Sequence, residues 1–245
     1  QEDRLLVAVL QSDVGMREGR VQHEIDALLH QAKTMDETAV GWLHLKAARM
    51  HLDQGNPKGA RGVLPETAVL GAHPNRAVVG IDLARLEGRT DTVIEGCQQA
   101  IARAQPLDGD PFYGILQCRL GWGLLARGDR VGATQSAHLA IDLLTEHGNR
   151  ARLAEAHHLA ALLALGRGQP RAARVMLDPL ISTARSFSFT NLEMLGSSLK
   201  LRVAAAMGDA NAAEEAMSSP SHTAAEPTAD WRLALSRWHR SCRHT

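Results

Sequence analysis

The sequence predicts an all-α fold: a right-handed α-solenoid of five to six helix–turn–helix repeats. Three observations carry that prediction. Glycines followed by similar residues recur at a fixed spacing. The apolar residues around them follow the 3–4 spacing of a helical face. The composition is rich in Ala and Leu and only 3% aromatic, which suits closely packed helices and not a β-sandwich or barrel.

The elements follow in order. Gly15 precedes Gly55 by 40 residues and marks a degenerate first copy. Five clearer segments come next: Gly55-Asn56-Pro57-Lys58-Gly59-Ala60, Gly88-Arg89-Thr90-Asp91-Thr92-Val93, Gly128-Asp129-Arg130-Val131-Gly132-Ala133, Gly168-Gln169-Pro170-Arg171-Ala172-Ala173 and Gly208-Asp209-Ala210-Asn211-Ala212-Ala213. Their leading glycines stand 33, 40, 40 and 40 residues apart. Each leading glycine suits the left-handed position that ends a helix. Pro57 and Pro170 fall where the next helix begins and a missing N–H is tolerated. Asp129 and Asp209 accept from the orphan N–H groups of the helix they precede.

The flanks read as helices. Leu116, Leu120, Gly121, Leu124 and Leu125 form one face before Gly128; Ala133, Ala137, Ala140, Ile141 and Leu144 form one after it. Leu153, Ala156, His157, Ala160, Ala161, Ala164 and Leu165 precede Gly168, and Ala172, Val175, Met176, Pro179 and Leu180 follow it, with Pro179 straining or ending that helix. Seven residues before the glycines stand Ala48, Ile81, Gly121, Ala161 and Leu201; five after stand Ala60, Val93, Ala133, Ala173 and Ala213. Where both are small, the two helices approach closely. Residues 71–75, 106–111 and 146–149 are short and breaker-rich, marking reversals between hairpins. Residues 218–230 are small and polar and read as a flexible linker or long loop. Residues 231–245 read as a basic amphipathic helix: Trp231, Leu235, Trp238 and Cys242 share a face, with Arg232, Arg237, Arg240 and Arg243 around it. It either caps the last repeat or docks on a partner, an anionic surface or the groove.

The chain here resembles the tetratricopeptide repeat family. Leu120-Gly121, Gly128, Ala133 and Ala140 keep that family's pattern, and His157, Ala161, Gly168, Ala173 and Leu177 follow it more loosely. The resemblance covers roughly residues 40–217, within a repeat domain placed at 1–217. It departs in losing most large aromatic signatures and in a period of 40 rather than about 34. Repeats of this length are similar to those of large bacterial signalling regulators. The resemblance implies a concave groove lined by each hairpin's first helix. Its positions here are Trp42, Leu45, Arg49 and Asp53; Asn75, Val78, Asp82 and Arg85; Ile115, Cys118, Trp122 and Leu125; Glu155, His158 and Leu162; and Leu195, Ser198 and Arg202. Of these, Arg49, Asn75, Asp82, Arg85, Trp122, Glu155, His158 and Arg202 are the candidate partner-binding residues. Arginine grips carboxylates and tryptophan offers an anchor, a mixture fitted to a peptide or partner helix. The plainer account makes them ordinary solvated charges and packing side chains. Trp231, Leu235 and Trp238 are the candidate docking residues of the tail.

Other function classes fare worse. Lys+Arg 27 balances Asp+Glu 27, which argues against a chain coating nucleic acid or anionic lipid with its whole surface. Phosphate-loop, dinucleotide, zinc-protease and nucleophile-elbow motifs are absent. Three scattered cysteines, Cys97, Cys118 and Cys242, give no disulfide framework and fit a reducing cytoplasm. No signal peptide or apolar run of ~20 residues is present. His239, Cys242 and His244 lack the paired spacing of a zinc site. Cys118 and His158 occupy equivalent positions on neighbouring first helices without a third, orienting group. The expectation is a non-catalytic, cofactor-free, protein- or peptide-binding part of a larger bacterial signalling protein. It neither spans a membrane nor binds nucleic acid directly, and it self-associates, if at all, through the tail or the solenoid ends. The alternative is an effector-sensing module whose groove takes a peptide or small ligand and controls an attached regulator or kinase.

Overall fold

A computed structural model describes residues 21–32, 37–53, 56–64, 74–103, 111–186, 190–209 and 211–212. These residues form ten helices and, among themselves, no strand, so the fold is all-α. The helices are α1 (Val21–Ala32), α2 (Glu37–Asp53), α3 (Pro57–Val63), α4 (Pro74–Leu86), α5 (Thr90–Arg103), α6 (Pro111–Arg127), α7 (Arg130–Glu146), α8 (Arg150–Gly166), α9 (Pro170–Ser186) and α10 (Thr190–Met207). Gly15, Gly55, residues 218–230 and the tail with Trp231, Leu235 and Trp238 lie outside the described residues. The chain divides into two compact units, Gln1–Glu87 and Gly88–Thr245.

In the first unit α2 packs on α1, α3 and α4. Leu45, Ala48 and Leu52 of α2 meet Ala60 of α3 and Val79 and Leu83 of α4 in one apolar cluster. Ala48 and Ala60, both fully buried, are the small pair expected at that crossing. On its other side α2 uses Ala47 and Met50 to cover Ile25 of α1.

In the second unit each helix from α5 to α10 packs on the next. Contacts also run from α6 to α8 and from α8 to α10. Gly121 shows why the first helices carry small residues. A Cβ there would stand 2.7 Å from Leu159 Cδ2, 3.3 Å from the Ala133 carbonyl oxygen and 3.4 Å from Ser136 Cβ. Only glycine lets α6 lie this close to α7 and α8.

The turns follow the sequence reading. Gly88, Gly128, Gly168 and Gly208 all have positive φ, between 70° and 92°. Asp129 Oδ1 accepts from Gly132 N at 2.9 Å and Asp209 Oδ1 from Ala212 N at 3.0 Å. Asn56 and Asn149 cap α3 and α8 in the same way. Pro74 and Pro111, grouped by the sequence with the breaker segments, in fact open α4 and α6. Proline at the first helical position lacks only an N–H that has no intrahelical partner anyway.

Helix α9 corrects two expectations. Its buried face is Ala173, Leu177, Leu180, Ile181 and Ala184, whereas Ala172, Val175 and Pro179 are exposed. The buried alanines and leucines sit 5, 9, 12 and 16 residues after Gly168, as Ala133, Ala137, Ala140 and Leu144 sit after Gly128. The repeat register fixes this face, and the exposed Val175 pulls a hydropathy reading one residue out of phase. Pro179 does not end the helix, which runs to Ser186. Pro179 is exposed, so the backbone bond that its missing N–H cannot make is lost on the solvent side of the helix.

Candidate functional site

The first helices bring the candidate residues together in two places, one in each unit. In the first unit Arg49 Nη1 of α2 donates to Asp82 Oδ2 of α4 at 2.6 Å. Arg85, one turn along α4, lies 3.7 Å from the other carboxylate oxygen. Asp82 is 2% exposed, while Arg49 and Arg85 keep about a quarter of their side chains in solvent. The buried carboxylate is therefore shared by two guanidiniums, one from its own helix and one from the helix before. Asn75, at the start of α4, is half-buried.

The second unit repeats the arrangement with different residues. Glu155 of α8 accepts from Arg119 Nη1 of α6 at 2.7 Å and from Arg152 Nη1 of its own helix at 2.8 Å. Arg119 is almost fully buried; Glu155 and Arg152 are partly open. Beside this pair the Trp122 ring meets the His158 ring, centroids 5.5 Å apart and planes tilted by 49°. Trp122 and His158 are both 5% exposed, so their rings are used against each other between α6 and α8. Ile115, Cys118 and Leu125 are buried as well. Open surface on the first helices of this unit returns on α10, where Ser198 and Arg202 are exposed and Leu195 is half-buried.

Comparison with protein families, curated proteins and solved structures returns no match to this chain.

The second helices carry their own links, which the sequence reading missed. Arg61 of α3 bonds Glu87 through Nε, at 3.1 Å, and through Nη2. Thr134 of α7 accepts from Arg167 Nη1 at 2.9 Å. Arg174 of α9 lies 3.9 Å from Asp209. Arg61, Thr134 and Arg174 each stand six residues after a leading glycine, and each reaches the next hairpin's turn. The signal was present as a register position, although residue type varies along it.

Among the described residues no group of three His, Cys, Asp or Glu is placed to hold a metal. His239, Cys242 and His244 lie outside them. Cys97 and Cys118 are buried thiols. Burial pushes the His157 imidazole below its ordinary value. It does the same to His51, against an opposing pull from the Asp26 carboxylate. Among the described residues no helix is long and apolar enough to cross a membrane.

Proposed function

We propose that the chain is a non-catalytic scaffold, a right-handed α-solenoid of five to six helical hairpins whose first helices receive a protein or peptide. One observation carries the reading: polar contacts recur between residues about one repeat apart, in both units. Arg49–Asp82, Arg119–Glu155, Arg167–Thr134 and Arg130–Gly166 are separated by 33, 36, 33 and 36 residues. Contacts at the repeat length are what stacked, like-oriented hairpins produce. Within each unit, hairpins stacked this way leave a wall of first helices, the usual contact surface of such proteins.

In the first unit Arg49 and Arg85 offer partly open charge; in the second Arg152 and Glu155 do the same, and Ser198 and Arg202 are exposed. Asp82, Trp122 and His158 are buried and serve a partner by holding that wall in place. A partner helix or strand laid along it meets a mixed polar surface with half-buried leucines, among them Leu162 and Leu195. Recognition is by steric fit and guanidinium–carboxylate pairing, with no bond made or broken.

Photo-crosslinking tests the assignment. A benzophenone amino acid at Ser198 lies on a first helix, and one at Gln135 lies on the outward side of a second helix; both positions are exposed. Crosslinking to one defined partner from position 198 and none from 135 is the expected result. Crosslinks from 135 alone would place binding on the opposite surface.

A further inference from the structure

The turns at Gly128 and Gly168 gather unusual charge for a chain whose total is zero. Residues 127–134 and 166–174 contain Arg127, Arg130, Arg167, Arg171 and Arg174 against the single acid Asp129. All five arginines are exposed. Two hydrogen bonds tie the turns side by side: Arg130 Nη1 donates to the Gly166 carbonyl at 3.2 Å, and Arg167 Nη1 to Thr134 Oγ1 at 2.9 Å. The five arginines thus belong to two adjoining turns on one rim of the second unit.

Their partners do not neutralise them. Arg130 and Arg167 spend their side-chain bonds on a carbonyl and a hydroxyl, both uncharged. Arg174 approaches a carboxylate only at 3.9 Å, that of Asp209 in the next turn. Arg127 and Arg171 have no ion pair among the described residues. Asp129 is occupied in capping α7 through Gly132 N. Elsewhere arginines meet carboxylates closely, as Arg49, Arg119, Arg152 and Arg185 do. Arg127 and Arg167 also hold the same register position, one residue before successive leading glycines.

We propose that this rim is a second docking edge, which takes an acidic protein segment across the turns at Gly128 and Gly168. Stacked hairpins stand ~10 Å apart, and a polyproline-II segment advances ~3.1 Å per residue with three residues per turn, so carboxylates three residues apart lie on one side and reach successive turns. The guanidinium fork matches a carboxylate with two parallel hydrogen bonds. Single-stranded nucleic acid is the weaker fit, because it binds through aromatic platforms on which bases stack. Residues 127–134 and 166–174 contain no aromatic side chain.

Fluorescence anisotropy of the full chain with a labelled deca-glutamate peptide, and separately with a labelled 20-nucleotide single strand, tests the proposal. The peptide is expected to bind with an affinity that falls as salt rises. R127E/R171E is expected to weaken it at least tenfold, and R127Q/R171Q by an intermediate factor. R103E/R150E, which reverses two exposed charges at the helix ends opposite these turns, is expected to leave binding within twofold of the parent. Thermal melting checks that the variants fold. Peptide binding that ignores R127E/R171E overturns the proposal, as does a single strand that binds more tightly than the peptide and depends on the same arginines.

Discussion

Arg119 and Arg61 make the same chemical pair in opposite surroundings. Arg119 is 1% exposed where it meets Glu155, whereas Arg61 is 64% exposed where it meets Glu87. Removing a carboxylate from a buried guanidinium leaves a charge out of water, and the cost far exceeds that of losing a solvated pair. Glu155→Ala is therefore expected to lower unfolding free energy by about 2–3 kcal/mol, and Arg61→Ala by less than about 1 kcal/mol. Urea unfolding of both variants decides it, and equal losses would contradict the burial argument. The histidines give a second prediction. His157 and His51 resist protonation in the folded chain because burial disfavours their charged form. Below their ordinary value near 6.5 the unfolded chain then binds more protons than the folded one, so stability falls as pH falls. The urea midpoint should be lower at about pH 5.5 than at about pH 7.5, and His157→Gln should narrow the gap. A gap that His157→Gln leaves unchanged would contradict it.

Between single residues and the whole chain, the helical hairpin is the unit that the sequence writes most plainly. Leading glycines, aspartate caps and opening prolines each have one physical use, and the turns use them so. The α9 face was less legible because hydropathy and register disagreed there. Val175 and Pro179 look apolar but face water, and only alignment with Ala133, Ala137, Ala140 and Leu144 finds the true face. Of the glycines in α6, Gly121 is the one where a Cβ would come closest to a neighbour. Gly121→Val forces side-chain volume against Leu159 and the Ala133 carbonyl and is expected to cost about 1–3 kcal/mol. Gly62→Val, where a Cβ meets nothing within 4 Å, should cost less. Matched melting temperatures for the two variants would mean that α6, α7 and α8 can separate without penalty.

Taken as a whole, the molecule repeats a relation more than a residue set. Carboxylate sharing by two arginines occurs in both units with different residues, and the links from second helices to turns use arginine–glutamate, arginine–threonine and arginine–aspartate pairs. That is why the candidate site was only half legible. The sequence supplies which positions lie on the first helices, but burial depends on how closely neighbouring hairpins press together. Trp122, Asp82 and His158 read as an open wall in sequence and are enclosed in the fold. The rim at Gly128 and Gly168 escaped notice because its charge is scattered through two segments 40 residues apart.

Stacking of equivalent hairpins is the central claim, and distances between spin labels test it most directly. Glu95, Gln135 and Val175 are exposed and stand seven residues after Gly88, Gly128 and Gly168. Pulsed electron resonance on label pairs at 95–135, 135–175 and 95–175 should give two similar short distances and a third close to twice as long, with ~10 Å added per hairpin. A 95–175 distance no longer than the other two would mean the helices close into a bundle, and the scaffold account would fall with it.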